Sequence, residues 1–264
     1  MTIYTLGPAG TYSDQAARSF FPEEKIIFKP TIFDVFEAAT ADPESQGLVP
    51  LENMIEGTVR ETLDLLYETD LKIQDLVELT INHCLATKNG QFTEIVSHPQ
   101  AIAQCRTFLR KNYPTHHINT INSTAQAAHM ASMRDNLAAI CSPFAARKYN
   151  LNILQSTISD YENNKTKFAV LGPKMHSDTY SSTSIAVTPI KDEPGLLVKI
   201  LLPFHDNQVN LTKIESRPEK TELNQYIFFI DFAADHRQAK IRKIFDHLQK
   251  DLQICRIKVL GGMI

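Results

Sequence analysis

A chain of 264 residues is too long for one small core and too short for three ordinary domains, so one large or two unequal domains is the expectation. Its hydrophobic share of 43% and charged share of 22% are close to the globular average, which excludes a largely disordered chain. A net charge of -3 without a block of like charge gives nucleic acid or a membrane surface nothing to grip, and the longest apolar stretches, such as 195–204, are far below spanning length.

Thr2 to Leu6 reads as a strand, with no basic segment before an apolar run of the kind a secretory signal carries. Gly7-Pro8-Ala9-Gly10 then turns the chain toward a helix over Asp14 to Phe21, and Thr11 with Asp14 has the spacing of a capping box. Thr31 and Asp34 repeat that device before a helix carrying Phe33, Phe36 and Ala39. Leu48 to Leu51 reads as a short buried strand. Pro99 opens a helix whose Ile102, Cys105 and Leu109 share one face. Ser123 or Thr124 caps a further helix, and Ala138 to Cys141 and Phe168 to Leu171 read as strands. Such alternation predicts open α/β sheets up to about Leu171.

Residues 173–183 are polar and turn-rich, and are expected to form a linker. Beyond them the order becomes β-α-β-β-α-β: a strand over Ser184 to Thr188, a helix over Gly195 to His205, and a strand pair over Asn210 to Ser216 and Tyr226 to Phe232. A helix over Arg237 to Leu252 follows, with Ile241, Ile244, Phe245 and Leu248 on one stripe, and Arg256 to Leu260 closes the unit. That order specifies a ferredoxin-like split fold, one sheet with two helices on one face.

Cys84, Cys105, Cys141 and Cys255 are widely scattered, without the spacing of a zinc site or a redox motif. They are expected to serve as small core residues in a reducing cytoplasm. Neither a metal nor a cofactor is expected: the histidines lack ligand spacing, and Gly7-Pro8-Ala9-Gly10 is not a dinucleotide-binding turn.

Several runs carry a more specific signal. They are GPAGTYSDQAA (7–17), VPLENMIEGTV (49–59), SHPQAIAQC (97–105), NSTAQAA (122–128) and NKTKF (164–168), followed by PGLL (194–197) and NLTKIESRP (210–218). Together and in this order they resemble bacterial prephenate dehydratases with a C-terminal ACT regulatory domain, over essentially the whole chain. The resemblance implies a bilobal catalytic domain over 1–172, like a type 2 periplasmic binding protein, with its second lobe at about 80–160. The ACT domain would occupy 184–264. The activity implied is conversion of prephenate to phenylpyruvate with loss of water and carbon dioxide, under control by phenylalanine.

That chemistry gains an aromatic ring, so it asks for anion clamps, a donor at the leaving hydroxyl and a dry cleft rather than covalent machinery. In the family the threonine of the NKTKF-like run is linked to catalysis, which maps onto Thr166; the plain alternative is that Thr166 pins the strand start. Lys167 stands where the family usually has arginine and is expected to hold a carboxylate unless its side chain points elsewhere. Thr11, Asn53, Ser97, Gln100, Ser123, Thr124 and Phe168 are the expected substrate contacts, most of them read as preceding helices, where N–H groups and hydroxyls form anion sites. His98, at a helix entry, reads as structural more readily than as a general acid. Met54 replaces a hydroxyl residue usual in the family, in a loop expected to face substrate.

In the second domain the resemblance assigns phenylalanine binding to Gly195, Leu196, Leu197, Asn210, Leu211, Glu215, Ser216, Arg217 and Pro218. The alternative is ordinary sheet packing, with Gly195 only starting a helix and Arg217 pairing with a surface acid. ACT domains usually pair edge to edge, so a homodimer or homotetramer is implied. A prephenate decarboxylase that does not aromatise its product, or a non-catalytic sensor of an aromatic acid, are the competing functions.

Overall fold

The computed structural model describes residues 1–175, 179–219 and 226–264. Residues 176–178 of the expected linker lie outside them. The chain divides into two compact units, one of residues 1–62 and 77–168, the other of 63–76 and 169–264.

The first unit opens with β1 (Thr2–Leu6), α1 (Tyr12–Phe20), β2 (Lys25–Lys29), α2 (Ile32–Ala41), β3 (Gln46–Asn53) and β4 (Gly57–Thr58). The helix α3 (Arg60–Glu68) and strand β5 (Lys72–Thr80) follow, and both are shared between the units. Next come β6 (Cys84–Thr87), β7 (Glu94–Ser97), α4 (Pro99–Gln104), α5 (Arg106–Asn112), β8 (His117–Thr120), α6 (Thr124–Met133), β9 (Leu137–Cys141), α7 (Pro143–Lys148), β10 (Asn152–Gln155) and β11 (Lys165–Gly172).

Two lobes result. The first has strand order β5-β11-β3-β1-β2, with β1 parallel to both β2 and β3. The second has order β10-β6-β9-β7-β8. Its strand β9 is buried along its whole length and splits by alternation. Leu137, Ala139 and Cys141 pack with the alanines of α6 and α7, while Ala138 and Ile140 pack with Ala101, Cys105 and Leu109.

Two local expectations are not met. Thr31 and Asp34 do form a reciprocal capping box, but Thr11 and Asp14 do not. Thr11 accepts the Asp14 N–H, whereas the Asp14 carboxylate takes the Gly10 N–H at 2.7 Å and Arg18 at 2.7 Å instead of returning to its cap. The helix opened by Pro99 breaks at Cys105. Asp160 N–H takes the Gln104 carbonyl at 2.7 Å, and the Asp160 carboxylate accepts from Thr107 N–H, which starts α5 afresh. On α2, Phe33 is 50% exposed, while Phe36 and Ala39 are buried.

The second unit holds β12 (Ser182–Pro189), α8 (Leu196–Asp206), β13 (Leu211–Pro218), β14 (Tyr226–Phe232), α9 (Ala239–Asp246), a π-helical turn over His247–Asp251, and β15 (Cys255–Met263). The sheet order β13-β14-β12-β15 is antiparallel at each pair, and Ile185, Val187, Ile230 and Phe232 bury against Ile200, Phe204, Ile241 and Leu248. This is the split β-α-β arrangement that the element order predicts. The strand β12 starts at Ser182, earlier than expected. Tyr180 is already buried, its N–H bound to Asp235, and Thr183 donates to Ala234 O at 2.7 Å.

The C-terminal half of α3 lies against this same sheet. Tyr67 bonds Thr188 at 3.0 Å and meets Phe229 edge-on, and Lys258 Nζ bonds the carbonyls of Tyr67 and Thr69 at the helix end. Gly261 of β15 pairs with Ile73 of β5 at φ +131°, an approach so close that a β-carbon would lie 2.1 Å from the Ile73 carbonyl oxygen. Among the described residues no helix is long and apolar enough to cross a membrane.

Candidate active site

A cleft of about 310 Å³ opens between the two lobes of the first unit, within the range of small-ligand sites. The starts of α1, α4 and α6 reach it, together with the end of β3, the start of β11 and the segments that cross between lobes. Thr11, Asn53, Gln100, Ser123, Thr124, Thr166 and Phe168 all line it. So do Tyr12, Ser13, His83, His98, Gln104, Asn122 and Asn164, of which only His98 was weighed as a reacting group from the sequence.

Asn53 is the hinge of the polar wall. It ends β3 in a turn rather than preceding a helix, and its Oδ1 accepts the N–H groups of Ile55 and Glu56 at 3.0 and 3.1 Å. Its Nδ2 therefore points the other way, donating to Asn164 Oδ1 at 2.8 Å, to Lys165 O at 3.2 Å and to Thr166 Oγ1 at 3.0 Å. Thr166 is 9% exposed and receives rather than gives in that bond. Its own hydrogen has no acceptor among the described residues, so it is available to a ligand in the cleft.

The network continues across the lobes. Asn164 Nδ2 donates to Gln104 Oε1 at 3.2 Å, and the same oxygen lies 3.1 Å from His83 Nε2. On the far side of its ring, His83 Nδ1 lies 2.9 Å from the Tyr12 hydroxyl, which also donates to Asn82 O at 2.6 Å. Burial, reinforced by the thiols of Cys141, Cys84 and Cys105, raises the Tyr12 phenol well above its ordinary pKa, so it stays protonated. Burial pulls the His83 imidazole below the usual histidine value, opposed by its bond to Gln104. The Cys105 thiol is pushed up to about 12, chiefly by burial, and is inert packing beside the cleft.

The hydroxyls at helix starts divide into committed and free groups. Thr11 is spent on both sides, accepting from Asp14 N–H and donating to Leu6 O. Ser123 accepts Gln126 N–H as the cap of α6 and keeps its hydrogen. His98, not Ser97, is the cap of α4, its Nδ1 taking Gln100 N–H.

Two expected contacts lie elsewhere. Ser97 is fully buried, donates to Ile140 O at 2.6 Å, and does not line the cleft. Lys167, expected to hold a carboxylate, lines a second hollow with Glu52, Asn53, Met54, Gly57, Glu78, Asn163 and Lys165, of which Asn53 also lines the cleft. The cause is the strand period of two: with Thr166 and Phe168 buried toward the cleft, Lys165 and Lys167 project from the other face of β11. Met54, 66% exposed, is in that outer hollow too, so the residue that replaces the usual hydroxyl does not face the cleft.

In the second unit, Gly195 caps α8 in the left-handed region at φ +82°, which favours glycine. The first N–H of α8 is already engaged, since Leu196 N–H bonds Glu193 O at 3.1 Å. Leu196 is core, while Leu197 is 37% exposed. Asn210 is exposed and its carbonyl accepts Ala233 N–H. On β13, Leu211 packs against the core, Glu215 approaches Lys213 at 3.8 Å, and Ser216 and Pro218 are exposed. Arg217 pairs with Asp64 of α3 at 3.1 Å.

Comparison with known proteins identifies the family and the fold. A family model described as prephenate dehydratase matches residues 3–176, and one described as ACT domain matches 190–246. A prephenate dehydratase of Methanocaldococcus jannaschii is 40% identical over 260 residues, covering 94% of this chain and 93% of that protein. The crystal structure of the prephenate dehydratase from Staphylococcus aureus superposes with a TM-score of 0.88 at 30% identity, covering all of both chains. That of the prephenate dehydratase from Arthrobacter aurescens in complex with L-Phe gives 0.88 at 28% identity, covering 99% of this chain and 90% of that one.

Proposed function

This chain belongs to the prephenate dehydratase family, and from that premise we propose how its cleft carries out the reaction. The family activity is a decarboxylating dehydration: prephenate loses water and carbon dioxide and becomes phenylpyruvate. The fold is the bilobal one of type 2 periplasmic binding proteins, followed by an ACT domain.

As carbon dioxide leaves, the electron pair of the broken C–C bond aromatises the ring and the C–O bond opens; the released hydroxide takes its proton from solvent to become water, since a threonine is too weak an acid to give one outright. Thr166 donates a hydrogen bond to the departing oxygen, stabilising the charge that builds there as the carboxylate leaves from the opposite end of the ring. The observation that carries this reading is the polarity of the Asn53–Thr166 bond, which fills the threonine's lone pair and leaves its hydrogen for substrate. Ser123, Thr124 and Gln100, near the starts of α6 and α4, hold substrate oxygens, and Phe168 supplies an apolar wall to the ring. Ser13 joins them as a donor from α1. Lys167 has no substrate contact in this reading.

The non-aromatising decarboxylase rests on Met54 and Lys167, and neither side chain lines the cleft. Incubating the purified protein with prephenate and following phenylpyruvate by its ultraviolet spectrum tests the assignment, because an unaromatised product lacks that absorbance. Unchanged prephenate after long incubation would favour the non-catalytic sensor.

Phenylalanine is the effector we assign to the ACT domain, supported by the L-Phe complex of the Arthrobacter protein. The segments 194–197 and 210–218 hold it, with Arg217 already engaged by Asp64. Inhibition then requires that phenylalanine bind one of two states better than the other. Pairing of ACT domains into a homodimer or homotetramer, and residence in the cytoplasm, where buried thiols such as Cys84 and Cys141 stay reduced, complete the proposal.

A further inference from the structure

The described residues that line the cleft include no lysine, arginine, aspartate or glutamate; their titratable groups are Tyr12, His83 and His98. A substrate with two carboxylates must therefore have its charge met by helix starts, hydroxyls and amides, or by a proton. His98 has committed its Nδ1 lone pair to the Gln100 N–H at 3.3 Å, so a second proton there would cost α4 its cap.

His83 differs. It is 3% exposed, and each ring nitrogen faces a group placed to accept from it. Nε2 faces Gln104 Oε1, an oxygen turned toward the ring because Asn164 donates to it while Gln104 Nε2 faces the Glu56 carboxylate at 3.4 Å. Nδ1 faces the Tyr12 oxygen, whose one hydrogen has the Asn82 carbonyl at 2.6 Å. A neutral ring has a single N–H, which Gln104 takes. Tyr12 must then choose between Nδ1 and Asn82 O, and one contact goes unfilled. A ring protonated at both nitrogens fills every contact at once.

What opposes that state is burial, which lowers the His83 pKa. The surrounding groups are the Tyr12 phenol from α1, the thiols of Cys84 on β6, Cys141 on β9 and Cys105 between α4 and α5, and the carboxylates of Glu56 beyond Gln104 and Asp160 beyond Cys105. Ser159 accepts the His83 backbone N–H, and the cation felt in this group is Arg147, at Cys84.

We propose that His83 takes up a proton from solvent as the dianionic substrate enters, so that a buried imidazolium supplies the positive charge missing from the cleft lining. The proposal rests on this cleft being the prephenate site. An anion nearby favours the charged ring and raises its pKa in the complex.

The pH dependence of turnover is the test. The free enzyme's His83 titrates below the ordinary histidine value, so kcat/KM should fall about tenfold per pH unit between about pH 6 and 8. The turnover number kcat, which reports the complex, should stay within about threefold over the same range. His83→Gln cannot take the proton: its kcat/KM should lose the slope and lie about a hundredfold below wild type at about pH 6, meeting it near pH 8, through KM. His98→Asn, which still caps α4, should keep the slope. A flat wild-type profile, or an unchanged slope in His83→Gln, would overturn the proposal.

Imidazole ¹⁵N NMR gives a direct reading, with the His83 signal assigned by its absence in His83→Gln or, should that fail to fold, His83→Asn. Its pKa should rise from the free enzyme to Thr166→Ala protein saturated with prephenate, and an unmoved or lower value overturns the proposal. Undiminished turnover by Thr166→Ala contradicts the donor role alone. Absence of any prephenate-induced change at both His83 and His98 rejects the cleft as the substrate site, and the proton uptake with it.

Discussion

Asn53 and Thr166, 113 residues apart in sequence, meet across 3.0 Å with the amide donating and the hydroxyl accepting. The direction of this bond matters more than its existence. Removing the hydroxyl in Thr166→Ala should lower kcat by about 10²–10³, the cost of losing one donor to developing negative charge, and Thr166→Ser should recover most of it. Asn53→Asp is the sharper test, because a carboxylate has no hydrogen to give and would draw the threonine's hydrogen out of the cleft. Its kcat should fall about a hundredfold while the turn built on Oδ1 persists, as single-turnover kinetics and circular dichroism would show.

Lys167 and Met54 belong to the outer hollow rather than the cleft. Lys167→Ala and Met54→Ser should each leave kcat and KM within about twofold of wild type, since substitutions that touch no substrate have little transition-state binding to remove. A tenfold rise in KM for Lys167→Ala would place its ammonium on the substrate after all.

Arg217 and Asp64 join the segment proposed to bind the effector to α3. The pair is partly exposed, so Asp64→Asn should shift stability by no more than about 1 kcal/mol. Arg217→Ala should blunt inhibition by phenylalanine while turnover in its absence persists. Urea unfolding checks Asp64→Asn and titrating phenylalanine against steady-state rate checks Arg217→Ala, where undiminished inhibition would remove that residue from the effector site.

Asp235 carries the clearest acid signature. Its carboxylate accepts Tyr180 N–H, Arg237 N–H and the Arg237 guanidinium, and Arg237 above all holds it well below the usual carboxylate range. Because its folded pKa lies below the unfolded one, its contribution is full above the unfolded value and disappears as pH falls through the folded value. Asp235→Asn should cost about 2 kcal/mol at neutral pH, in the range of charge-assisted hydrogen bonds, and the gap from wild type should narrow as pH drops below about 4. Urea unfolding at several pH values would show it.

Gly261 is packed against the Ile73 backbone in a conformation other residues resist. Gly261→Ala should destabilise by about 3 kcal/mol or more, since both the φ angle and the space oppose a β-carbon. Thermal melts of the full chain measure this, and a shift below about 2 °C would mean that β15 can move away from β5.

Local chemistry wrote the elements legibly. The capping box of Thr31 and Asp34, the proline at the start of α4 and the β-α-β-β-α-β order of the second unit all act within a few residues, and the structure keeps them. The departures have nonlocal causes: α4 stops because Asp160, 56 residues beyond Gln104 by their numbers, takes its carbonyl. One misplacement was avoidable. Strand alternation alone forbids Thr166 and Lys167 from pointing into the same cleft.

What the sequence by itself determined is the order and type of the elements, the family-like runs and the threonine at the site, because capping, alternation and turn chemistry are written between near neighbours. Only the tertiary structure decided which polar groups form the wall. The bonds from Tyr12 to His83, His83 to Gln104 and Gln104 to Asn164 span 71, 21 and 60 residues, and no short-range pattern encodes them. They exist because two lobes close on one another, and in that buried space a donor's direction is set by whichever acceptors remain.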